Sequence, residues 1–224
     1  LNVSTTSWDG AGYPAAAGLF DRVLVDVPCS CEGTSRKDAA VLNRIGPAQS
    51  RRKMGVQTAL LRKAVQLCRP GGRIVYATCT YAPEENEMVV DTVLQESGRS
   101  GIRVVPARLE GVRSSPGVVS WEGQRLDASL RQTVRLWPHQ NDTGGFYIAV
   151  LEKDPSAAGG NGEAGARYQF CPPETPVLPQ ISERFGLSPE LFEPYRLFQH
   201  SKKRVHLAAA DHCPPAQPPP DAVG

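Results

Sequence analysis

Two cysteines stand where a thiol can act on a substrate. Cys29 closes the apolar run of VDVPCS (residues 25–30) and Cys79 that of YATCT (residues 76–80). A thiolate is intrinsically very nucleophilic, and its surroundings tune it away from an ordinary pKa of about 8.5. Cys31 lies two residues beyond Cys29 and makes a C-x-C pair. A structural zinc site calls for a second knuckle of ligands, and none is present. His139, His200, His206 and His212 are scattered without ligand spacing, so no metal is expected. A thiol redox centre is disfavoured as well, because the C-x-C lacks the C-x-x-C spacing and helix N-terminus that tune such thiols. A lone cysteine at either position reads as a small buried core residue. Two at matching places read as a two-cysteine active site.

The elements that must hold them form a regular rhythm. Residues 20–27 (FDRVLVDV) predict a strand apolar enough to be buried on both faces, with Cys29 in the loop at its carboxyl end. From residue 49 to 68, Met54, Ala59, Leu60, Leu61, Ala64, Val65 and Leu67 recur at helical spacing, and RPGG (69–72) reads as the stop. Residues 73–78 predict the next strand, with Cys79 just past its end. Pro83, Glu84 and Glu85 then open a helix to about Gln95, acids in its first turn favouring the macrodipole. Residues 103–105 and 145–151 predict further strands, the latter at the sheet's edge, while 106–132 read as loop. Strand, loop and helix in alternation describe an α/β open sheet, whose ligands bind outside the carboxyl ends of the strands. Both thiols fall there.

The chain has 224 residues, 40% of them hydrophobic and 21% charged, with a net charge of +2. That is enough for one sizeable core and the start of a second. No apolar run approaches the roughly 20 residues of a membrane span and no leader opens the sequence, so an intracellular protein of nucleus or cytoplasm is expected, without membrane contact. So small a net charge is no argument for a polyanion, although Arg36-Lys37, Arg51-Arg52-Lys53 and Lys202-Lys203-Arg204 are local basic clusters. Residues 154–165 (DPSAAGGNGEAG) have the composition of a linker, and 213–224 (CPPAQPPPDAVG) that of a disordered tail. The expected division is a catalytic domain over 1–153, a linker over 154–169, a small domain over 170–212 and the tail.

Three blocks carry a resemblance: DRVLVDVPCSCEGTSRKD (21–38), PGGRIVYATCTYAPEENE (70–87) and RLWPHQNDTGGFYIAVLEK (135–153). In this order they resemble the Nop/Sun (RsmB/NOP-type) family of S-adenosylmethionine-dependent RNA 5-methylcytosine methyltransferases over residues 1–153. GTSRKD and PHQNDTGGFY are most similar to its tRNA-modifying branch. The stretch RFGLSPELFEPYRLF (184–198) resembles the lead-in to a PUA-like RNA-binding domain. The resemblance implies the second half of a Rossmann-like class I methyltransferase sheet, then a partial PUA-like segment. It implies that Cys79 attacks C6 of a cytosine and that Cys29 promotes loss of the C5 proton and release. Asp26 would contact the base's N3/N4 edge and S-adenosylmethionine, and Asp9, in STTSWDG (4–10), the cofactor's adenine. A turn-forming Asp-Gly is the competing reading of Asp9. His139 falls in a block bordering the family's active site, with an ordinary structural histidine the competing reading. Arg36 and Lys37 would hold RNA phosphate, which positions a substrate without reading its sequence.

The family's Gly-rich cofactor loop is not found, so the chain is expected to hold only part of the cofactor pocket. Cys31 also departs from the family, which carries Gly there. A catalytically inactive, methyltransferase-like RNA-binding or scaffold protein is the alternative function.

Overall fold

The computed structural model describes residues 3–14, 20–96, 101–157, 177–201 and 204–223. In chain order the elements begin with β1 (Ser4–Thr5), β2 (Phe20–Asp26), α1 (Pro47–Leu67), β3 (Cys68–Thr78), α2 (Glu87–Glu96), β4 (Ile102–Val105) and β5 (Ser115–Pro116). They continue with β6 (Ser120–Trp121), β7 (Gln124–Arg125), β8 (Val134–Leu136), α3 (Pro138–Asn141), β9 (Phe146–Lys153), α4 (Val177–Phe185), β10 (Tyr195–Ser201), β11 (Arg204–Ala209) and β12 (Ala222–Val223). Two compact units contain them: Leu19–Asn161, and Leu1–Gly18 with Gly162–Gly224.

The unit Leu19–Asn161 is an α/β layer built on a mixed six-stranded sheet of order β2-β3-β9-β8-β5, with β4 also paired to β9. Only β2 and β3 run parallel; β9 is antiparallel to β3, β4 and β8. The strand expected at the edge is therefore interior. In FYIAVLEK every second residue, Tyr147, Ala149, Leu151 and Lys153, is buried, the period-2 signature of a strand with one face on the core. Leu61, Ala64 and Val65 of α1 meet Val89, Val90 and Val93 of α2 and Ile74 and Tyr76 of β3 in one cluster. Full burial of each Leu, Ile or Val there stabilises by roughly 1.5–3 kcal/mol.

Several local expectations shift. β2 is not buried on both faces: Leu24 is 70% exposed, whereas Val23 and Val25, on the opposite face, pack against the core that α1 helps to form. α1 ends at Leu67, just before residues 69–72 as expected, and those residues also open β3, bent at Gly71 (φ +73). What closes α1 is Lys153, buried, whose Nζ donates to the carbonyls of Val65 (3.0 Å) and Cys68 (2.9 Å), a cation on the orphan carbonyls of a helix C-terminus. α2 starts at Glu87 rather than at Pro83, since residues 82–86 form a turn, with Glu85 N–H donating to the Ala82 carbonyl at 3.1 Å. Between β4 and β8, where loop was expected, β5 joins β8, β6 pairs β7, and Asp127 caps a 3₁₀ turn, Ala128–Gln132.

In the other unit β10 and β11 form an antiparallel hairpin and β1 pairs antiparallel with β12. Residues 1–18, expected with the catalytic sheet, thus group with the carboxy-terminal residues, and the tail expected to be disordered supplies β12. α4 and the 3₁₀ turn Pro189–Phe192 cover the turns expected there. The expected linker lies almost wholly outside the described residues, as do Lys202 and Lys203. Among the described residues no helix is long and apolar enough to cross a membrane.

Candidate active site

The parallel pairing of β2 with β3, with Asp26 opposite Ala77, brings both strands to their carboxyl ends side by side. Cys29 and Cys79 follow those ends, and their sulfurs lie 3.3 Å apart. Cys29 is buried and Cys79 partly so. The two residues, 50 positions apart in the chain, are direct neighbours.

Each loop is tied to the other. Gly33 N–H donates to the Cys79 carbonyl at 2.8 Å, and Gly145 N–H to the Gly33 carbonyl at 2.9 Å. A methyl group on Gly33 would stand 2.2 Å from the Gly145 carbonyl oxygen, and one on Gly145 would enter the Tyr81 ring, so both positions demand the absence of a side chain. Glu32 accepts from the Thr80 hydroxyl (3.0 Å) and the Tyr81 N–H (2.8 Å). Glu85, fully buried, accepts from Ser30 N–H and Gln57 Nε2, each at 2.9 Å. Asn86 donates to the Thr80 carbonyl at 3.0 Å and accepts from the Thr78 hydroxyl at 2.6 Å. The Cys79 turn is thus held on both sides by charge-assisted or buried hydrogen bonds, the stronger kind. Tyr81 stacks on Trp137, centroids 5.0 Å apart, and Arg135 lies 5.7 Å from the centre of the Trp137 ring. Arg135 Nε in turn donates to the buried Glu87 at 2.6 Å.

Cys79 opens into a cleft of about 590 Å³ lined also by Gly33, Thr34, Arg36, Lys37 and Phe146. Arg36 and Lys37 are exposed, and Arg36 reaches Asp142 at 2.6 Å. The two basic residues picked out by sequence therefore line the same cleft as the Cys79 thiol. Asp26 is exposed at the end of β2 and does not line that cleft. Asp9 belongs to the other unit, where its carboxylate caps the 3₁₀ turn Gly10–Gly12 by accepting from Ala11 N–H at 3.2 Å. His139 borders a separate hollow of about 260 Å³ with Arg36, Pro138 and Asp142, its ring tilted against Trp137.

Burial pushes the Cys79 thiol far above its ordinary value, and the neighbouring sulfurs of Cys29 and Cys31 add to the rise. Cys29 is also raised, chiefly by burial, with the hydrogen bond from Cys79 pulling the other way. Cys31 sits in the left-handed region (φ 62, ψ 24), which costs an L residue roughly 1–2 kcal/mol and is where glycine is favoured. That backbone accounts for the glycine expected at this position from the family. The sequence reading missed Glu32, Glu85, Asn86, Arg135 and the glycine pair as positioning groups. All lie within the quoted blocks, but a residue type and a place in a motif do not reveal a hydrogen-bond partner 50 residues away.

The family model described as 16S rRNA methyltransferase RsmB/F matches residues 1–152. A tRNA (cytosine(49)-C(5))-methyltransferase of Pyrococcus abyssi (strain GE5 / Orsay) is 37% identical over 157 residues, 68% of this chain and 48% of that protein. The human 28S rRNA (cytosine(4447)-C(5))-methyltransferase is 34% identical over 188 residues, 80% of this chain and 22% of its own. This chain thus spans about half the first relative's length and less of the second. Among solved structures, NSun6 from Pyrococcus horikoshii with SFG matches with a TM-score of 0.53 at 26% identity, covering 66% of this chain and 34% of that one.

Proposed function

The chain belongs to the RsmB/F methyltransferase family, and from that premise we propose that it carries the catalytic centre of an RNA cytosine-5 methyltransferase with Cys79 as nucleophile and tRNA as substrate. The observation that carries this reading is the 3.3 Å approach of the Cys29 and Cys79 sulfurs at the ends of adjacent parallel strands, in a cleft shared with Arg36 and Lys37. The tRNA assignment draws on the Pyrococcus abyssi relative and on the GTSRKD and PHQNDTGGFY runs.

In this mechanism Cys79 loses its proton and its sulfur bonds to C6 of the cytosine, which makes C5 nucleophilic. Cys29, beside it, acts as a thiolate once its own proton has passed to solvent: it takes the C5 proton after C5 carries its new methyl group, the C5–C6 double bond re-forms, and the Cys79–C6 bond breaks to release the product. A cytosine must leave its stack to present the C5–C6 edge, and a cleft of about 590 Å³ admits a single base. Arg36 and Lys37, at the same cleft, hold the backbone phosphates. S-adenosylmethionine, of which the SFG bound by the NSun6 relative is an analogue, supplies the methyl group when bound. Of the residues assigned to it, Asp26 fits by its exposed place at the carboxyl end of β2, whereas the Asp9 carboxylate caps the turn Gly10–Gly12, which favours its reading as a turn residue. The unit holding β10 and β11 is assigned a PUA-like RNA-binding role.

The test uses the complete natural protein with a tRNA transcript and S-adenosylmethionine. Cys29→Ala is expected to accumulate a protein–RNA adduct that survives denaturation, and Cys79→Ala to form none. If neither variant traps RNA and the unsubstituted protein leaves cytosine unmethylated, the inactive RNA-binding alternative replaces this reading.

A further inference from the structure

We propose that Cys29, Cys31 and Cys79 form a binding site for one soft, thiophilic d10 cation, and that its occupancy closes the catalytic pair to substrate. The linear spacing argued against a metal because C-x-C has no second ligand pair. The fold supplies the missing ligand from another strand end: the three sulfurs all lie within 4.8 Å of one another. With metal–sulfur bonds of about 2.3 Å, a tetrahedral centre separates its sulfurs by roughly 3.8 Å. The 3.3 Å pair opens slightly to reach that separation, and no two of the three sulfurs stand more than 4.8 Å apart.

The site is built rather than incidental. Cys31 is held in the left-handed region immediately before the turn Glu32–Thr34, and its thiol lies 3.4 Å from the Cys29 carbonyl. The Gly33 N–H to Cys79 carbonyl bond keeps the C-x-C loop against the third ligand. The cleft at Cys79 gives the cation a way in and leaves room for a water as fourth ligand. Arg36 and Lys37 on that cleft offset the single negative charge that three thiolates and a divalent ion leave. On binding, three S–H bonds break, their protons pass to solvent, and three metal–sulfur bonds form, with no change of oxidation state. The cation site stands on this geometry alone, and its closing of the catalytic pair rests on the methyltransferase reading, with which it shares Cys29 and Cys79.

The reduced, metal-free chain titrated anaerobically with Cd²⁺ tests it, through the sulfur-to-cadmium charge-transfer absorption in the ultraviolet. Saturation at one Cd²⁺ per chain is expected, with an excess of chelator removing the signal. Cys31→Gly suits the left-handed backbone and leaves the fold intact by circular dichroism. It should weaken Cd²⁺ binding by more than the roughly 10–100-fold that loss of an outer-shell partner costs. Cys79→Ser should do the same, and a Cys171→Ser/Cys213→Ser double variant should bind unchanged. Undiminished affinity in Cys31→Gly, or loss of the signal in the double variant, overturns the site. Failure of adduct trapping with this cadmium stoichiometry intact would instead remove the methyltransferase reading alone.

Discussion

Between the thiol of Cys79 and the thiolate that chemistry requires lies the main electrostatic obstacle of this site. Burial and two neighbouring sulfurs hold its pKa far up, so activation awaits a change in surroundings, such as an arriving positive charge or a proton acceptor. A measurable consequence follows in the unliganded chain. Near neutral pH, iodoacetamide should label Cys79 more slowly than the exposed Cys213, as resolved by peptide mass spectrometry. Its rate should still be climbing at pH values above the ordinary thiol pKa of about 8.5. Labelling of Cys79 ahead of Cys213 at neutral pH would show a thiol already activated without ligand. The sign for stability runs the same way. A thiol raised in the folded state favours folding fully below its unfolded pKa, and that contribution fades as pH rises toward the folded value. That the Cys29 and Cys79 thiols fall at matching strand ends was legible from their place after two apolar runs. That Cys31 faces them was not, because the left-handed turn that aims it is a property of the folded loop.

Strand pairing converts a sequence separation of 50 residues into van der Waals contact, and a few buried polar links keep the two loops in register. The most buried of these is the ion pair of Glu87, at the first turn of α2, with Arg135 on β8, in which both side chains are almost wholly buried. Glu87 also accepts from Val118 N–H at 3.0 Å, and Arg135 donates to the Tyr81 carbonyl at 2.9 Å. Replacing Glu87 by Gln leaves the guanidinium buried without its counter-charge, which typically costs about 3–5 kcal/mol. Urea denaturation should show that loss as a lowered midpoint with unchanged slope. A midpoint within experimental error of the parent would mean that water reaches Arg135. At this level periodicity read well: β2, α1, β3 and α2 stand within a few residues of their predicted bounds. It failed where context overrides pattern. β9 went from edge to interior because strand order is a matter of non-local pairing, and α2 began late because Glu85 serves the Cys29 loop instead of a helix terminus.

A net charge of +2 over 224 residues leaves the overall field weak, so any attraction for RNA must come from local basic groups. Arg36 and Lys37 are the pair that the fold sets on the cleft of Cys79. If each neutralises one phosphate of a single-stranded segment, Arg36→Ala and Lys37→Ala should each flatten the plot of log affinity against log salt by roughly 0.7. Filter binding or fluorescence anisotropy across a salt series measures this, and a slope unchanged in both variants would move the phosphate contacts elsewhere. The division into two units was only partly foreseen. A change of composition marks the end of the sheet's last strand, but nothing in residues 4–5 announces that they pair with residues 222–223. Apolar periodicity, turn residues and the three motif blocks suffice to read an α/β sheet, its family and two thiols at strand ends, because these depend on neighbours a few positions apart. The three-sulfur cluster, the glycine contact, the buried carboxylates and the interior place of β9 depend on which distant segments meet, and close packing settles that only once the whole core has formed.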